Sequence, residues 1–134
     1  MSSATFAHDE AAQVVFATHP QPVELKTRAE ISAYFEAAAD YCRRRCKGNK
    51  VYMVVDYNNL SFNTEELDFY AAEVKRLSDA HLLAIVRYSG TLVQRMAGRM
   101  AAIKLHQPSR LYASREEALA VVRDLQRGTI SAPP

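Results

Sequence analysis

The residues of this chain that could do chemistry gather where apolar runs stop. In "VVDYNNLSFNTEEL", Val54–Leu67, a run that reads as a buried strand ends on Asp56. It then passes Asn58 and Asn59 and enters a helix through two glutamates. Two further run ends, Tyr88-Ser89-Gly90-Thr91 and Tyr112-Ala113-Ser114, add hydroxyls but no histidine. Beyond the carboxyl ends of parallel strands is where α/β proteins bind and react. A hydrolase or transferase needs a nucleophile there with a base in reach. His8, His19, His81 and His106 fall in the amino-terminal tail, a Pro-flanked loop, a strand entry and a helix exit, none beside those ends. The sequence therefore predicts no catalytic residue, and the chain is read as a non-enzyme.

Asp56 could hold a metal or receive a phosphoryl group, or it could end a strand and accept from the N–H groups of the Asn58-Asn59 turn. The first role needs further acidic residues to hold magnesium, and no acidic pair stands at another strand end. The structural role is favoured. Ser89, Gly90 and Thr91 open a helix whose N–H groups could hold a small anion or ligand. They lack the glycine spacing of a phosphate loop, so a turn and cap is the simpler reading. Cys42 and Cys46 lie four apart in one helix with no second Cys or His cluster, so no metal site or cofactor is predicted. Cys42 continues an apolar stripe. Cys46, beside Arg43, Arg44, Arg45 and Lys47, is a candidate redox-sensitive thiol, although those cations also suit a helix carboxyl end.

The elements that must position these residues are legible from capping and period. Thr27 with Glu30, Asn63 with Glu66, Thr91 with Gln94, and Ser114 with Glu117 each match a capping box. Helical apolar stripes follow: Ile31, Phe35, Ala38 and Cys42; Leu67, Tyr70, Val74 and Leu77; Leu92, Met96, Met100 and Ile103; Ala118, Val121, Val122 and Leu125. Strands are predicted at Gln13–Thr18, Val51–Asp56, Leu82–Tyr88 and Arg110–Ala113, with a short edge strand at Val23–Leu25 between prolines and helix. This alternation predicts an α/β fold: a small, mainly parallel sheet of four or five strands with four helices. Residues 1–134 read as a single domain with a core over about 13–126 and frayed tails at 1–10 and 128–134.

At 134 residues, 49% apolar and 24% charged, the composition is that of a soluble globular domain, and a net charge of +2 gives no reason to expect nucleic acid. Arg95, Arg99 and Lys104 make the third predicted helix basic, with Arg87 just before it and Arg110 just after; this could dock an acidic partner protein, but a solvated face is the simpler reading, and the aromatics that stack on bases are missing. No secretory signal or membrane span is visible, and a reduced, cytoplasmic setting is expected.

From about Gln13 to Leu125 the chain resembles STAS domains, the fold of bacterial anti-sigma-factor antagonists, and in particular their SpoIIAA-like relatives. The resemblance is carried by "KVYMVVDYNNLSFNTEEL", "HLLAIVRYSGT" and "RLYASREEALAVVRDL". It rests on hydrophobic pattern and element order, since the family has no invariant catalytic motif. It implies a regulatory, protein-binding module. In signalling members a partner kinase phosphorylates a Ser or Thr at the start of the second helix. The usual "DSSG" is absent here. Asn63-Thr64-Glu65-Glu66 stands in its place, with Thr64 the nearest candidate phosphoacceptor and Ser61 a poorer one.

Two functions follow. The first is a module that docks an unidentified protein, or a second copy of itself, through Asn58, Asn59, Thr64, Glu65, Glu66 and Phe69. Phe69 is included because it lies off its helix's apolar stripe, beside Glu65, Glu66, Glu73 and Arg76. The second is a small-molecule or lipid sensor with an apolar pocket between sheet and helices, lined by Met53, Met96 and Met100.

Overall fold

The computed structural model describes residues 4–88 and 111–128. Among these, a five-stranded mixed sheet runs in the order β1-β2-β4-β6-β7. Its strands are β1 (Thr5–Asp9), β2 (Val14–Thr18), β4 (Val51–Asp56), β6 (Leu82–Tyr88) and β7 (Leu111–Tyr112). β1 pairs antiparallel with β2, and the successive pairs β2–β4, β4–β6 and β6–β7 are parallel. A separate parallel pair joins β3 (Val23–Leu25) to β5 (Leu60–Phe62).

The parallel register lays alternate side chains on opposite faces. Val15, Met53 and Ile85 are neighbours on one face, and Phe16 is the β2 neighbour of Val54, which faces Val86 of β6. The first face is covered by α1 (Arg28–Cys46) and α2 (Leu67–His81) through Ile31, Phe35, Ala38 and Cys42 and through Leu67, Tyr70, Val74 and Leu77. The other face, with Val14, Val54 and Val86, carries α3 (Arg115–Arg127) through Ala118, Val122 and Leu125. Central strands covered on both sides must be apolar at every position, which is why Val51–Val55 reads without alternation. The helix expected behind Thr91, with Leu92, Met96, Met100 and Ile103, falls outside the described residues.

Three local expectations are corrected. The amino-terminal tail is not frayed over 5–9. Phe6 packs its ring 5.3 Å from that of Tyr41, and β1 hydrogen-bonds along β2 as an edge strand. Leu60–Phe62, not among the predicted strands, is extended because Leu60 is buried and Asn59, at φ 65°, turns the chain into register with Val23. The third correction concerns the start of the second helix. At Thr27 the full capping box forms, with Thr27 Oγ1 accepting from Glu30 N and Glu30 reaching back to Thr27 N at 3.0 Å. At Asn63 it does not. The chain makes a 3-10 turn, Thr64–Glu66, capped by Asn63 Oδ1 from Glu65 N at 3.0 Å, and Glu66 turns to Arg28 instead. At α3, Ser114 Oγ accepts from Glu117 N, while Glu117 accepts from Ala113 N, one residue before the cap.

Candidate functional site

At the carboxyl end of β4, Asp56 Oδ1 accepts from Asn58 N at 2.8 Å, the tight turn expected of it. Asn59, left-handed at φ 65°, donates its side-chain amide to the carbonyl of His19 at 2.9 Å. Val23 N then donates to Asn59 O at 2.7 Å, and Asn63 bridges back by donating its amide to Lys26 O at 3.2 Å. The edge from Asn58 to Asn63 is therefore sewn onto the segment that precedes α1. Beyond it, Thr64 and Glu65 are exposed on the 3-10 turn.

Arg28, in the first turn of α1, crosses to this edge. Its Nε lies 2.6 Å from Glu66 Oε2, and its guanidinium carbon lies 5.3 Å from the centre of the Phe69 ring. Phe69 is thus not the exposed anchor expected from its place off the stripe. It is half-buried, packed against the core with a cation over its face. Glu73, expected beside it on the surface, is buried against α1, 3.4 Å from Ser32 Oγ and 3.6 Å from Arg76. The structure brings Asn58, Asn59, Thr64, Glu65, Glu66 and Phe69 to one edge of the molecule. Ser89, Gly90 and Thr91 lie outside the described residues.

His19 overturns the expectation that no histidine reaches the strand ends. It is 4% exposed, with Nδ1 2.7 Å from the carbonyl oxygen of Asp56 and Nε2 2.8 Å from the Tyr34 hydroxyl. A carbonyl only accepts, so Nδ1 carries the proton and the Tyr34 hydroxyl donates to Nε2. Burial pushes its pKa down, against the smaller raising effects of the Asp56 carbonyl and carboxylate. The signal was present in the sequence: one residue past the end of β2, parallel to β4, is beside the end of β4. The ring is held in place as a tie between the Asp56 carbonyl and the Tyr34 hydroxyl.

Arg87, read as a basic residue just before the third predicted helix, is buried on β6. It is 4% exposed and lines one small cavity together with Tyr57 and Tyr70. Burial works against its charge, but the two tyrosine oxygens outweigh that and raise its pKa. Tyr57 and Tyr70 are themselves 3.2 Å apart, oxygen to oxygen, and 1% and 4% exposed.

The cavity between sheet and helices that Met53 lines has a volume of about 20 Å³. That holds one water-sized particle and no lipid or metabolite. Met96 and Met100, expected beside Met53, lie outside the described residues. A larger, open cleft of about 580 Å³ lies at the opposite end of the sheet, where His8, Glu10, Tyr41, Arg44, Arg45 and Lys50 surround the end of α1. Cys46 lines it; the residue is buried and burial pushes its thiol pKa up, which runs against the low-pKa thiol that its basic neighbours suggested. Burial raises the Cys42 thiol further, to about 12. No group of acidic, Cys and His side chains that could hold a metal occurs among the described residues. No helix among them is long and apolar enough to cross a membrane.

No protein-family model and no curated protein sequence matches the chain. Among solved structures, the chain is similar to that of the anti-sigma factor antagonist SpoIIAA in its unphosphorylated form, with a TM-score of 0.57. The match spans 96% of this chain and 100% of that one, at 11% sequence identity. Sheet order, the placing of α1 and α2 and the turn after β4 thus sit in a known α/β frame: this chain has the SpoIIAA-like fold of STAS domains.

Proposed function

We propose that the chain is a single, non-enzymatic regulatory domain that binds a protein partner in the cytoplasm through the edge Asn58–Phe69. The carrying observation is the 3-10 turn Thr64–Glu66, which offers exposed Thr64 and Glu65 while Glu66 and Phe69 are clamped by Arg28. A charged turn fixed in this way suits a partner with a basic surface. The SpoIIAA-like fold supports the reading, since that protein is an anti-sigma factor antagonist. By the resemblance, Glu65 or Glu66 falls about where signalling relatives place an acceptor serine, so we read the edge as permanently charged rather than switched. Thr64 is where any phosphorylation of this edge would fall. For the sensor alternative, the cavity that Met53 lines among the described residues is only about 20 Å³, while Met96 and Met100 lie outside them.

The test is affinity capture from native lysate with the wild-type chain, Glu65→Lys and Thr64→Ala. Circular dichroism and thermal midpoints confirm that each variant is folded. Charge reversal at Glu65 should remove the specific partner, and an unchanged set of captured proteins would overturn the proposal. Intact mass of the chain from its native host reports whether Thr64 carries a phosphate. Light scattering over a range of concentrations shows whether a second copy occupies the edge.

A further inference from the structure

The open cleft at the amino-terminal end of β4, far from the docking edge, is strongly basic. Its volume of about 580 Å³ is lined by Arg44, Arg45 and Lys47 from the end of α1 and by Lys50 from the approach to β4. All four are exposed, so their charge is available to a ligand. Among the described residues the lining sets one carboxylate, Glu10, against these four cations, a formal +3 where the whole chain carries +2. The helix dipole accounts for cations in the last turn of α1. It does not account for Lys50, which lies beyond that helix and lines the same cleft. Arg44 is already paired with Asp40 at 2.9 Å, so Arg45, Lys47 and Lys50 carry most of the field.

The backbone that carries these cations is fixed before anything binds. Lys47 caps α1 in the left-handed region at φ 51°, Gly48 continues the turn at φ 85°, and Asn49 N donates to Cys46 O at 2.9 Å. Tyr52 N donates to Gln13 O at 2.9 Å, which ties β4 to the turn between β1 and β2 where Glu10 sits. The cleft has the size of small-molecule sites, and its largely polar and charged lining suits an ionic ligand. Cations converging on one cleft repel one another, and a multiply charged anion relieves that repulsion. Arginine forks and lysine point charges together match phosphate oxygens. We propose that this cleft binds a small molecule carrying two or more phosphate groups, held by Arg45, Lys47 and Lys50. A free metabolite and a lipid headgroup both offer that chemistry. The docking edge lies at the other end of the sheet, so neither proposal depends on the other.

Inositol hexakisphosphate and pyrophosphate are the probes, titrated calorimetrically into the full chain at about 0.15 M salt. One saturable site per chain is expected. Lys47→Gly is the informative variant, because glycine takes the left-handed backbone there more readily than lysine, so the fold is kept while the charge is lost. It and Lys50→Gln should each weaken binding by about tenfold. Lys26→Gln removes the same charge beyond the opposite end of α1, roughly 28 Å away along the helix, and should leave the affinity unchanged. An equal loss in Lys26→Gln would mean attraction to the net charge alone and overturns the site, as does binding that is absent or never saturates. A glutamate-rich peptide that binds as tightly as inositol hexakisphosphate overturns the phosphate class. Phosphatidylcholine vesicles with and without phosphatidylinositol bisphosphate separate the two sources. Co-sedimentation that requires the bisphosphate assigns a headgroup, and calorimetric binding without it assigns a soluble ligand.

Discussion

Acidification should loosen this fold through His19. At pH well above 6.5 the ring is neutral in both folded and unfolded chains, and its two hydrogen bonds contribute fully. Burial lowers the folded pKa below the unfolded value of 6.5, so the unfolded chain takes up a proton first as pH falls. The stability His19 contributes is thus present above pH 6.5 and is lost as pH drops toward and through the folded value. One proton bound only by the unfolded state gives a limiting slope of about 1.4 kcal/mol per pH unit. The mechanism is specific. A second proton on Nε2 removes the acceptor that the Tyr34 hydroxyl uses at 2.8 Å and puts a charge in a pocket 4% exposed.

Urea unfolding from about pH 8 to about pH 5 measures this slope, with the difference between wild type and His19→Asn isolating one histidine. Asparagine keeps a donor for the Asp56 carbonyl but cannot titrate. Pairing it with Tyr34→Phe avoids leaving a buried hydroxyl without an acceptor. Both changes should cost about 1–3 kcal/mol at pH 8 and then flatten the acid limb. His81 shifts in the same direction, first from burial and then from the Arg43 charge, and is common to both proteins. Parallel profiles for wild type and variant below pH 6.5 would show that His19 is not held neutral, refuting the tautomer assignment.

Arg28→Ala should lower stability by only about 0.5–1 kcal/mol, because its pair with Glu66 is largely exposed on the arginine side. The same variant should weaken partner capture more than it weakens the fold, as affinity capture set beside denaturant unfolding would report. Thr27→Ala removes a complete capping box at the head of α1 and should cost about 1 kcal/mol in denaturant unfolding. Native protein should react with a thiol reagent at Cys42 and Cys46 only at the rate of opening, since both are buried with raised pKa. Fast labelling of Cys46 in the folded protein would contradict its placement.

Much of this was legible because local rules and tertiary packing agree. Ile31, Phe35, Ala38 and Cys42 recur at helical spacing behind a capping threonine and are all buried, and the limits of β4 and β6 match the ends of their apolar runs. What escaped needed a partner that lies far away in sequence. Leu60–Phe62 is too short to look like a strand and is extended only because Val23–Leu25 lies beside it. Glu66 has the right spacing to box Asn63, but Arg28, 38 residues away, offers an ion pair instead. Phe69 looked exposed from helical phase alone, since phase does not reveal the cation placed over its ring. His19 and Arg87 look like surface residues by type. Only the sheet order puts one beside Asp56 and the other beneath Tyr57.

These long-range ties bear on how the edge would work. Residue by residue, the segment after β4 is fastened from behind: Asp56 by His19, Tyr57 by Tyr70, Asn59 by the His19 carbonyl, and Asn63 by the Leu25 and Lys26 backbone. A turn with that many fixed points loses little conformational freedom when a partner binds, so more of the contact energy remains as affinity. It follows that substitutions behind the edge should act differently from substitutions on it. Tyr57→Phe or Asn59→Ala should loosen the turn and weaken binding by disordering Thr64 and Glu65, with faster amide exchange over 58–66. Glu65→Lys should remove binding while exchange in the same segment stays slow. Identical exchange in both classes of variant would mean that the ties do not organise the edge, and the buried polar cluster would then have to be explained by its own chemistry alone.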